Sequence, residues 1–407
     1  MTSIPFNAAG GLLRHRPFLY YFCARGLARF ASQVAAVAVG WQVYVMTGSA
    51  FDLGMVGLAQ FAPTALLTFI AGHAADRYNR KRVAQVCQTI DGLAAAYLAL
   101  GTHGGWLTLP EIYAVVGVLG VCGAFDSPAT AALLPGVTPE GMLQKGAALA
   151  TGALQVASIG GPALGGVLYA VSPTLAYAVP AAFWLAASVF NAAIRLDRPV
   201  EARAPLSLSS LFDGVRFVRK NEAILGTISL DLFAVLFGGG TALLPIYARD
   251  ILHTGPWGLG VLRGAPAVGA LLMAGLLARH AIKARVGMRM FQAVIIFGVA
   301  TVGFALSHWL WLSMLMLAIT GAADTVSMVI RVSLVQIATP DDMRGRVGAV
   351  NFLFINASNQ LGEFESGITA ALFGAVPAAT IGGVASIAIA LLWMRLFPKL
   401  RDFEKLE

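Results

Sequence analysis

Charged residues are scarce in this sequence. Of its 407 residues, 12% are Asp, Glu, Lys or Arg, whereas 58% are hydrophobic, and the mean hydropathy is +0.76. An average soluble domain has about twice that charged fraction. The composition therefore excludes a water-soluble globular protein and indicates a protein of the lipid bilayer.

The sequence also lacks the short motifs that carry enzyme chemistry. It contains no P-loop, no nucleophile elbow and no cluster of histidines or cysteines with the spacing of metal ligands. The three cysteines, Cys23, Cys87 and Cys122, lie inside apolar runs and are expected to be packing residues. We therefore predict that the protein is not an enzyme and uses no cofactor and no metal. Any transport must then be driven by an ion or solute gradient.

What the sequence does contain is a series of long apolar runs. A transmembrane helix needs about 20 apolar residues to cross a hydrocarbon core about 30 Å thick. Twelve runs have this length, near residues 17–46, 51–74, 83–101, 110–134, 141–170, 173–195, 222–248, 256–279, 288–306, 309–335, 346–370 and 378–397. We predict an all-α membrane protein with twelve transmembrane helices.

Positive charges are distributed unevenly among the connections. Most of the 28 Lys and Arg residues precede the first run, follow even-numbered runs or follow the twelfth, whereas the connections after odd-numbered runs contain only Arg249. Because Lys and Arg beside membrane helices remain in the cytoplasm, both termini are expected inside. The basic pI of about 9.6 then reflects topology, so no nucleic-acid partner is expected. The first run is too long for a signal peptide and should be retained as a helix.

Short segments recur about 200 residues apart, which is half the chain. GAFDS at 123–127 returns as GAADT at 321–325, and TPEGMLQKGA at 138–147 returns as TPDDMRGRVGA at 339–349. Internal repeats are typical of secondary transporters.

The repeats predict two pseudo-symmetric six-helix bundles, formed by residues 1–196 and 222–407. Residues 197–221 would link them in the cytoplasm, and LFDGVRFVRKN within this linker has the pattern of a short amphipathic helix.

The stretch GHAADRYNRKR places one Asp and several cations between the second and third runs. It resembles the loop signature of the major facilitator superfamily, G-x-L-a-D-r-x-G-r-k. The matching residues are Gly72, Asp76, Arg77, Arg80 and Lys81, whereas Ala74 and Asn79 depart from the pattern. Asn at position 79 is a mild departure, because Asn tolerates the left-handed conformation that Gly would supply.

We expect these charges to form a cytoplasmic gate. Asp76 can lie at a helix N-terminus of the opposite bundle, where the helix dipole favours an anion. Arg77 or Arg80 can reach Asp126, at the cytoplasmic end of the fourth run. A simpler interpretation is that the cations only set the topology.

A second motif, SIGGPALGG at 158–166, lies in the fifth run. It resembles the G-x-x-x-G-P-x-x-G-G signature of proton-driven exporters in the superfamily. The matching residues are Gly161, Pro162, Gly165 and Gly166. Small residues allow helices to approach closely, and these could equally serve packing alone.

Longer segments, at 230–250, 262–270 and 339–367, resemble the superfamily subgroup that contains the bacterial enterobactin exporter and macrolide efflux proteins. The resemblance covers most of the chain. It implies the major facilitator fold, location in the bacterial cytoplasmic membrane, action as a monomer and export of amphipathic, siderophore- or drug-like small molecules.

Polar residues inside the apolar runs indicate where an aqueous cavity lies. Helical spacing places several of them on one stripe of the first run and several on one stripe of the eleventh. Lipid cannot satisfy such stripes, so they should face water between the bundles. The predicted cavity residues are Arg25, Arg29, Gln33, Asp231, Arg263, Asp324, Asn356, Asn359, Gln360 and Glu363.

Three of these residues, Asp231, Asp324 and Glu363, are candidates for carrying a coupling proton. A carboxyl group in a poorly hydrated cavity binds a proton more readily than one in water. The alternative for each is a permanent ion pair that holds helices together. We also expect Arg263 to pair with Glu363 or Glu365, and Asp91 to have a structural partner.

The expected function is therefore H⁺-coupled export by alternating access, with protons, a small-molecule substrate and the lipid bilayer as partners. Arg25 and Arg29 favour an anionic or catechol-like substrate, unless they neutralise helix C-termini or Asp126. One alternative is a uniporter or a translocator of lysolipid-like solutes without proton coupling. Another is a sensor or scaffold that does not transport.

Overall fold

The computed structural model describes residues 7–195, 208–280, 282, 284–340 and 343–404, without the side chains of residues 7–10, 68–77, 208–212, 349, 352–353 and 356. The α-helices in this part of the chain are α1 (Asn7–Arg14), α2 (Arg16–Thr47), α3 (Ala50–Arg77), α4 (Arg80–Gly104), α5 (Leu109–Val137), α6 (Leu143–Val171), α7 (Leu175–Ala193), α8 (Leu208–Lys220), α9 (Glu222–Gly238), α10 (Leu244–Ile246), α11 (Gly255–Arg279), α12 (Val286–Ala305), α13 (Leu310–Ala338), α14 (Arg344–Phe373), α15 (Ala375–Leu396) and α16 (Pro398–Arg401).

The predicted fold class is confirmed. Twelve long helices in the described ranges, α2 to α7, α9 and α11 to α15, correspond to the twelve apolar runs. Eleven of the described helices are long and apolar enough to cross a membrane. The remaining long helix, α14, has 30 residues and contains the predicted polar stripe of the eleventh run.

The seventh run is not one uniform helix. After α9 the chain passes through a 3₁₀ turn (Gly240–Leu243), α10 and a π-helical turn (Tyr247–Ile251). Three consecutive glycines, at 238–240, weaken a helix here. Pro245 has no backbone N–H and so cannot donate a helical hydrogen bond. This irregular segment carries polar side chains that contact α2 and α14.

Two asparagines begin helices by capping them. Asn79 has φ −63° and ψ 108°, and its side-chain oxygen accepts hydrogen bonds from the backbone N–H groups of Lys81 and Arg82. Asn79 therefore does not use the left-handed conformation that it would tolerate, because an N-cap needs extended backbone and a short side-chain acceptor. Asn221 caps α9 in the same way, accepting from Ala223 and Ile224.

The chain divides into two compact units. The first unit comprises Met1–Val39 and Ala62–Pro205. Within it α4 packs against α5 and α7, and α2 joins them through small side chains. Ala31, Ala35, Ala95, Ala181 and Trp184 form one buried cluster there.

The second unit comprises Gly40–Phe61 and Leu206–Glu407. It therefore includes the end of α2 and the beginning of α3. A Cβ atom added at Gly54 would lie 3.1 Å from the Cα of Gly367, so α3 and α14 cross with their backbones nearly in contact. Elsewhere in this unit α13 packs against α11 and α12, and α9 packs against α14 and α15.

Candidate transport site

A small cavity lies inside the second unit, between α9, α12 and α13. Asp231, Asp324 and Ser327 are the polar residues that line it, and apolar side chains including Val294 and Phe297 complete the wall. It has room for about one water molecule. Two of the three predicted proton carriers therefore share one poorly hydrated space.

Asp231 forms a buried ion pair. Its carboxylate contacts the guanidinium of Arg331 on α13, and the two side chains are only 6% and 4% exposed. Taking two charges out of water is unfavourable, and a close ion pair offsets much of that cost. Asp231 thus matches the alternative of a permanent pair between helices more closely than that of a proton carrier.

Asp324 has no such partner. Its side chain is partly exposed to the cavity and makes no hydrogen bond or ion pair with any described residue. Ser327, one turn further along α13, is 3% exposed, and its hydroxyl also has no hydrogen-bond partner in the described part of the chain. At helical spacing, Asp324, Ser327 and Arg331 form a single polar stripe on α13.

Glu363 lies where α14 crosses the 3₁₀ turn and α3. Its carboxylate accepts a hydrogen bond from the Thr241 hydroxyl at 3.1 Å, and its side chain packs against Gly57. Asn359, one turn before Glu363 on α14, is exposed and donates to the carbonyl oxygen of Ile355 on the same helix.

The other two predicted residues of the α14 stripe are Gln360 and Asn356. The side-chain oxygen of Gln360 is buried without a hydrogen-bond partner among the described residues. Asn356 lies outside the described side chains.

The expected ion pair of Arg263 with Glu363 or Glu365 does not form. Glu363 is held by Thr241, and Glu365 accepts a hydrogen bond from Thr369 at 2.7 Å. Arg263 is partly exposed and has no polar partner in the described part of the chain. Counting depth along two helices places residues at a similar level but does not say which faces meet.

A second group of contacts joins the end of α2 to the π-helical turn within the same unit. The Tyr44 hydroxyl donates to the Asp250 carboxylate. The Arg249 guanidinium donates to the Tyr44 carbonyl oxygen at 3.2 Å and lies 5.5 Å from the Tyr44 ring centroid. Arg249 is the one Lys or Arg in the connections after odd-numbered runs. An aromatic residue and an acid hold it in place.

Replacing Tyr44 with Phe is expected to loosen this contact. The change removes the donor to Asp250 and leaves the ring in place, and a hydrogen bond to a charged group contributes about 1.5–3 kcal/mol. Amide hydrogen exchange across residues 244–252 should then be about tenfold faster or more. Tyr97→Phe is the matched control, because the Tyr97 hydroxyl also donates to an acid, Glu111, but in the other unit. Unchanged exchange in Tyr44→Phe would contradict the expectation.

In the first unit, Arg25 contacts Tyr21 one turn earlier on α2. An Nη1 donor of Arg25 lies 2.9 Å from the Tyr21 hydroxyl, and the guanidinium lies 5.9 Å from the ring centroid. Its Nε atom is buried without a hydrogen-bond partner among the described residues. Arg29, one turn further, is exposed.

The small residues of α6 allow its backbone to pack closely against Gln33 and Val34 of α2. A Cβ atom added at Gly161 would lie 2.6 Å from the Cβ of Gln33, and one added at Gly165 would lie 3.0 Å from the carbonyl oxygen of Val34. Pro162 and Gly166 are also buried, and α6 continues through the proline. The SIGGPALGG motif therefore brings the backbone of α6 against α2, the helix that carries the arginine stripe.

Asp126 belongs to a buried polar network of the first unit. Its carboxylate accepts hydrogen bonds from Gln88 at 3.2 Å and Thr130 at 3.1 Å, and Asn191 donates to Gln88 at 2.8 Å. Arg25 is close enough to act electrostatically on Asp126. Sequence reasoning missed Gln88 and Asn191, although a glutamine in an apolar helix is itself a signal of a buried polar partner.

The predicted gate is only partly covered by the structure. Lys81 donates to the carbonyl oxygen of Ile194 at 2.7 Å, and Arg80 is partly exposed at the start of α4. The side chains of Asp76 and Arg77 lie outside the described ones, and Gly72 lies near the end of α3.

Asp91 has no cationic partner among the described residues. It is 7% exposed, and one carboxylate oxygen has no hydrogen-bond partner in the described residues. Cys122 on α5 is close enough for its thiol to act on the Asp91 carboxylate. Helix spacing identifies the face of α4 but not the residue opposite.

Comparisons with known proteins agree with this architecture. A sequence profile of the family described as transmembrane secretion effector matches residues 9–407. The multidrug efflux pump Tap of Mycobacterium tuberculosis is 29% identical over 372 residues, which cover 86% of each chain. The enterobactin exporter EntS of Citrobacter koseri is 26% identical over 409 residues, covering 97% of this chain and 95% of the exporter.

Solved structures are similar in fold at low sequence identity. A bacterial homologue of the human lysosomal transporter Spinster, in an inward-facing conformation, has a TM-score of 0.76 and 13% identity, covering 98% of this chain and 99% of the homologue. The nucleoside transporter NupG has a TM-score of 0.70 and 15% identity, covering 94% and 99%.

Proposed function

The chain belongs to the transmembrane secretion effector family of the major facilitator superfamily, and from this premise we propose that it is an H⁺-coupled exporter of amphipathic small molecules. It is a multi-pass membrane transporter and not an enzyme. The names of its relatives, a multidrug efflux pump and an enterobactin exporter, support export of drug-like or siderophore-like solutes. Their bacterial origin supports a location in the cytoplasmic membrane, with both termini inside according to the charge pattern.

The proposal of proton coupling rests on Asp324. Among the three candidate acids, Asp231 has a guanidinium partner and Glu363 has a hydroxyl donor, whereas Asp324 has neither. A carboxylate in a nearly dry cavity without a donor or a cation is stabilised when it binds a proton. Protonation and release at Asp324, as access alternates, would link export to the inward flow of H⁺.

Transport by alternating access requires two halves that move and gates that break. We assign the halves to residues 1–196 and 222–407, with 197–221 as the linker, because the repeats separate at that point. On the cytoplasmic side, the match to the loop signature supports Asp76, Arg77 and Asp126 as gate residues. The described contacts of Asp126 with Gln88 and Thr130 would hold its carboxylate in place for such a partner.

A flux assay in proteoliposomes tests the proposal. With an acidic lumen, an H⁺ antiporter should accumulate at least one member of a panel containing enterobactin, a macrolide and a lysophospholipid. Substrate addition should also release protons from the lumen, which an entrapped pH dye reports. Nigericin dissipates the pH gradient, so uptake that is unchanged after its addition would show a uniporter and overturn the coupling.

A further inference from the structure

Arg263 is a charged residue inside the membrane region that has no partner in the described part of the chain. It follows the first residue of α11 by eight positions, so about 12 Å of helix lies between them. The side chain forms no hydrogen bond, ion pair or ring contact with any described residue. An unpaired guanidinium at such a depth is unfavourable unless water or a ligand solvates it.

Two other arginines of this unit that lie within or beside membrane helices have partners. Arg331 is buried against Asp231, and Arg249 is held by Tyr44 and Asp250. Arg263 is thus the exception in this comparison. A purely structural cation would be expected to have found an acid, as Arg331 has.

Arg263 lies opposite the most exposed leucine of α11. Leu272 is 70% exposed and follows Arg263 by nine residues, which corresponds to about 180° around a helix. The face of α11 that packs against α13 is a different one, because Leu262 is fully buried and Gly269 lies against Ala318. Arg263 therefore lies on a third face of α11, distinct from the face of Leu272 and from the face toward α13.

Small residues surround Arg263 on that third face. Ala267 and Ala270 follow Arg263 at the spacing of one and two helical turns, so that face of α11 carries small side chains after the arginine. A guanidinium presents a planar set of N–H donors that matches carboxylate, phosphate or catecholate oxygens. Because none of the described residues accepts from Arg263, these donors can bind a solute.

We propose that Arg263 binds the anionic group of a transported amphipathic solute, so that the exporter selects anions. This inference rests on the proposed transport function and adds a substrate class to it. Arg263 acts by direct contact with the solute and takes no part in proton binding, which is assigned to Asp324.

Equilibrium binding to the purified full chain tests this inference without a pH gradient. The probes are acids and their methyl esters: cholate, salicylate and N-dodecanoylglycine. Each ester keeps the apolar body and removes the negative charge. The variants are Arg263→Gln, Arg263→Lys and the control Arg279→Gln, which removes an exposed arginine at the end of the same helix.

We expect the wild type to bind at least one acid tenfold or more tightly than its ester, and Arg263→Gln to lose that preference. Arg263→Lys should keep part of it, because charge remains without the planar donor set. Arg279→Gln should bind like the wild type. Because Arg263 has no partner among the described residues, Tm should not fall in Arg263→Gln. A large fall would indicate a structural role and overturn the proposal.

The remaining outcomes are equally decisive. Equal binding of acids and esters by the wild type, no binding of any acid, or equal loss of both classes in Arg263→Gln would overturn the inference. Binding is compared in nanodiscs of phosphatidylcholine with and without phosphatidylglycerol; an effect of Arg263→Gln only with phosphatidylglycerol would assign the arginine to a lipid headgroup. Each of these results can occur while proton-driven flux is intact, so failure here is distinct from failure of the proposed function.

Discussion

Asp324→Asn is expected to reduce pH-gradient-driven uptake in proteoliposomes to the level of liposomes without protein. Asparagine has the shape of a protonated aspartate but cannot release a proton, so the cycle loses its coupling step. Exchange of labelled for unlabelled substrate without a gradient should continue, because it requires substrate binding and movement but no net proton transfer. Measuring both fluxes in one preparation separates a coupling defect from a folding defect.

Glu365→Gln is the matched control for this prediction. Glu365 is also an acid of a membrane helix, but it accepts a hydrogen bond from Thr369 and does not line the cavity with Asp324. It should therefore retain gradient-driven uptake. Coupled uptake by Asp324→Asn, or equal loss in Glu365→Gln, would remove Asp324 from its assigned role.

The repeat explains why Asp324, and not its counterpart, is suited to this task. Asp126 in GAFDS and Asp324 in GAADT occupy the same position of the two repeats. Four residues later the first repeat has Thr130, which donates to Asp126, whereas the second has Met328, which has no hydroxyl. The first acid accepts two hydrogen bonds, whereas the second accepts none from the described residues.

The sequence alone does not show this difference, because Ser327, three residues after Asp324, is also within reach on a helix. The structure shows that the Ser327 hydroxyl makes no hydrogen bond in the described part of the chain. The second donor to Asp126 could not be predicted either. Gln88 comes from α4, and spacing within α5 contains no information about which α4 residue lies opposite. Sequence periodicity thus identifies the helix and the face, while partners on other helices require the packed structure.

The expected ion pair of Arg263 was wrong for the same reason, because partners on other helices cannot be found from spacing. Long apolar runs identified twelve helices because the thickness of a bilayer fixes their length. Arg263, Glu363 and Glu365 are intramembrane charges in the sequence, and nothing in their spacing distinguishes a paired residue from an unpaired one. Local capping was missed for a different reason: Asn79 satisfies both a turn and an N-cap in sequence, and only its backbone angles decide between them.

The buried pair of Asp231 and Arg331 is the second group whose removal should have a large effect. Arg331→Met is expected to lower the Tm of the purified protein by on the order of 10 °C, because an uncompensated buried charge costs about 3–5 kcal/mol. Asp231→Leu should be destabilising for the same reason, since it leaves the guanidinium alone. Thermal unfolding followed by intrinsic tryptophan fluorescence measures both.

The double variant Asp231→Leu with Arg331→Met decides what the pair is for. Replacing both charges by apolar side chains leaves no buried charge, so much of the lost Tm should return. If Asp231 only holds α9 to α13, the double variant should also transport with a pH gradient. Recovered Tm together with lost coupling would instead show that Asp231 passes or holds a proton beside Asp324, and the ion pair would then be part of the transport cycle.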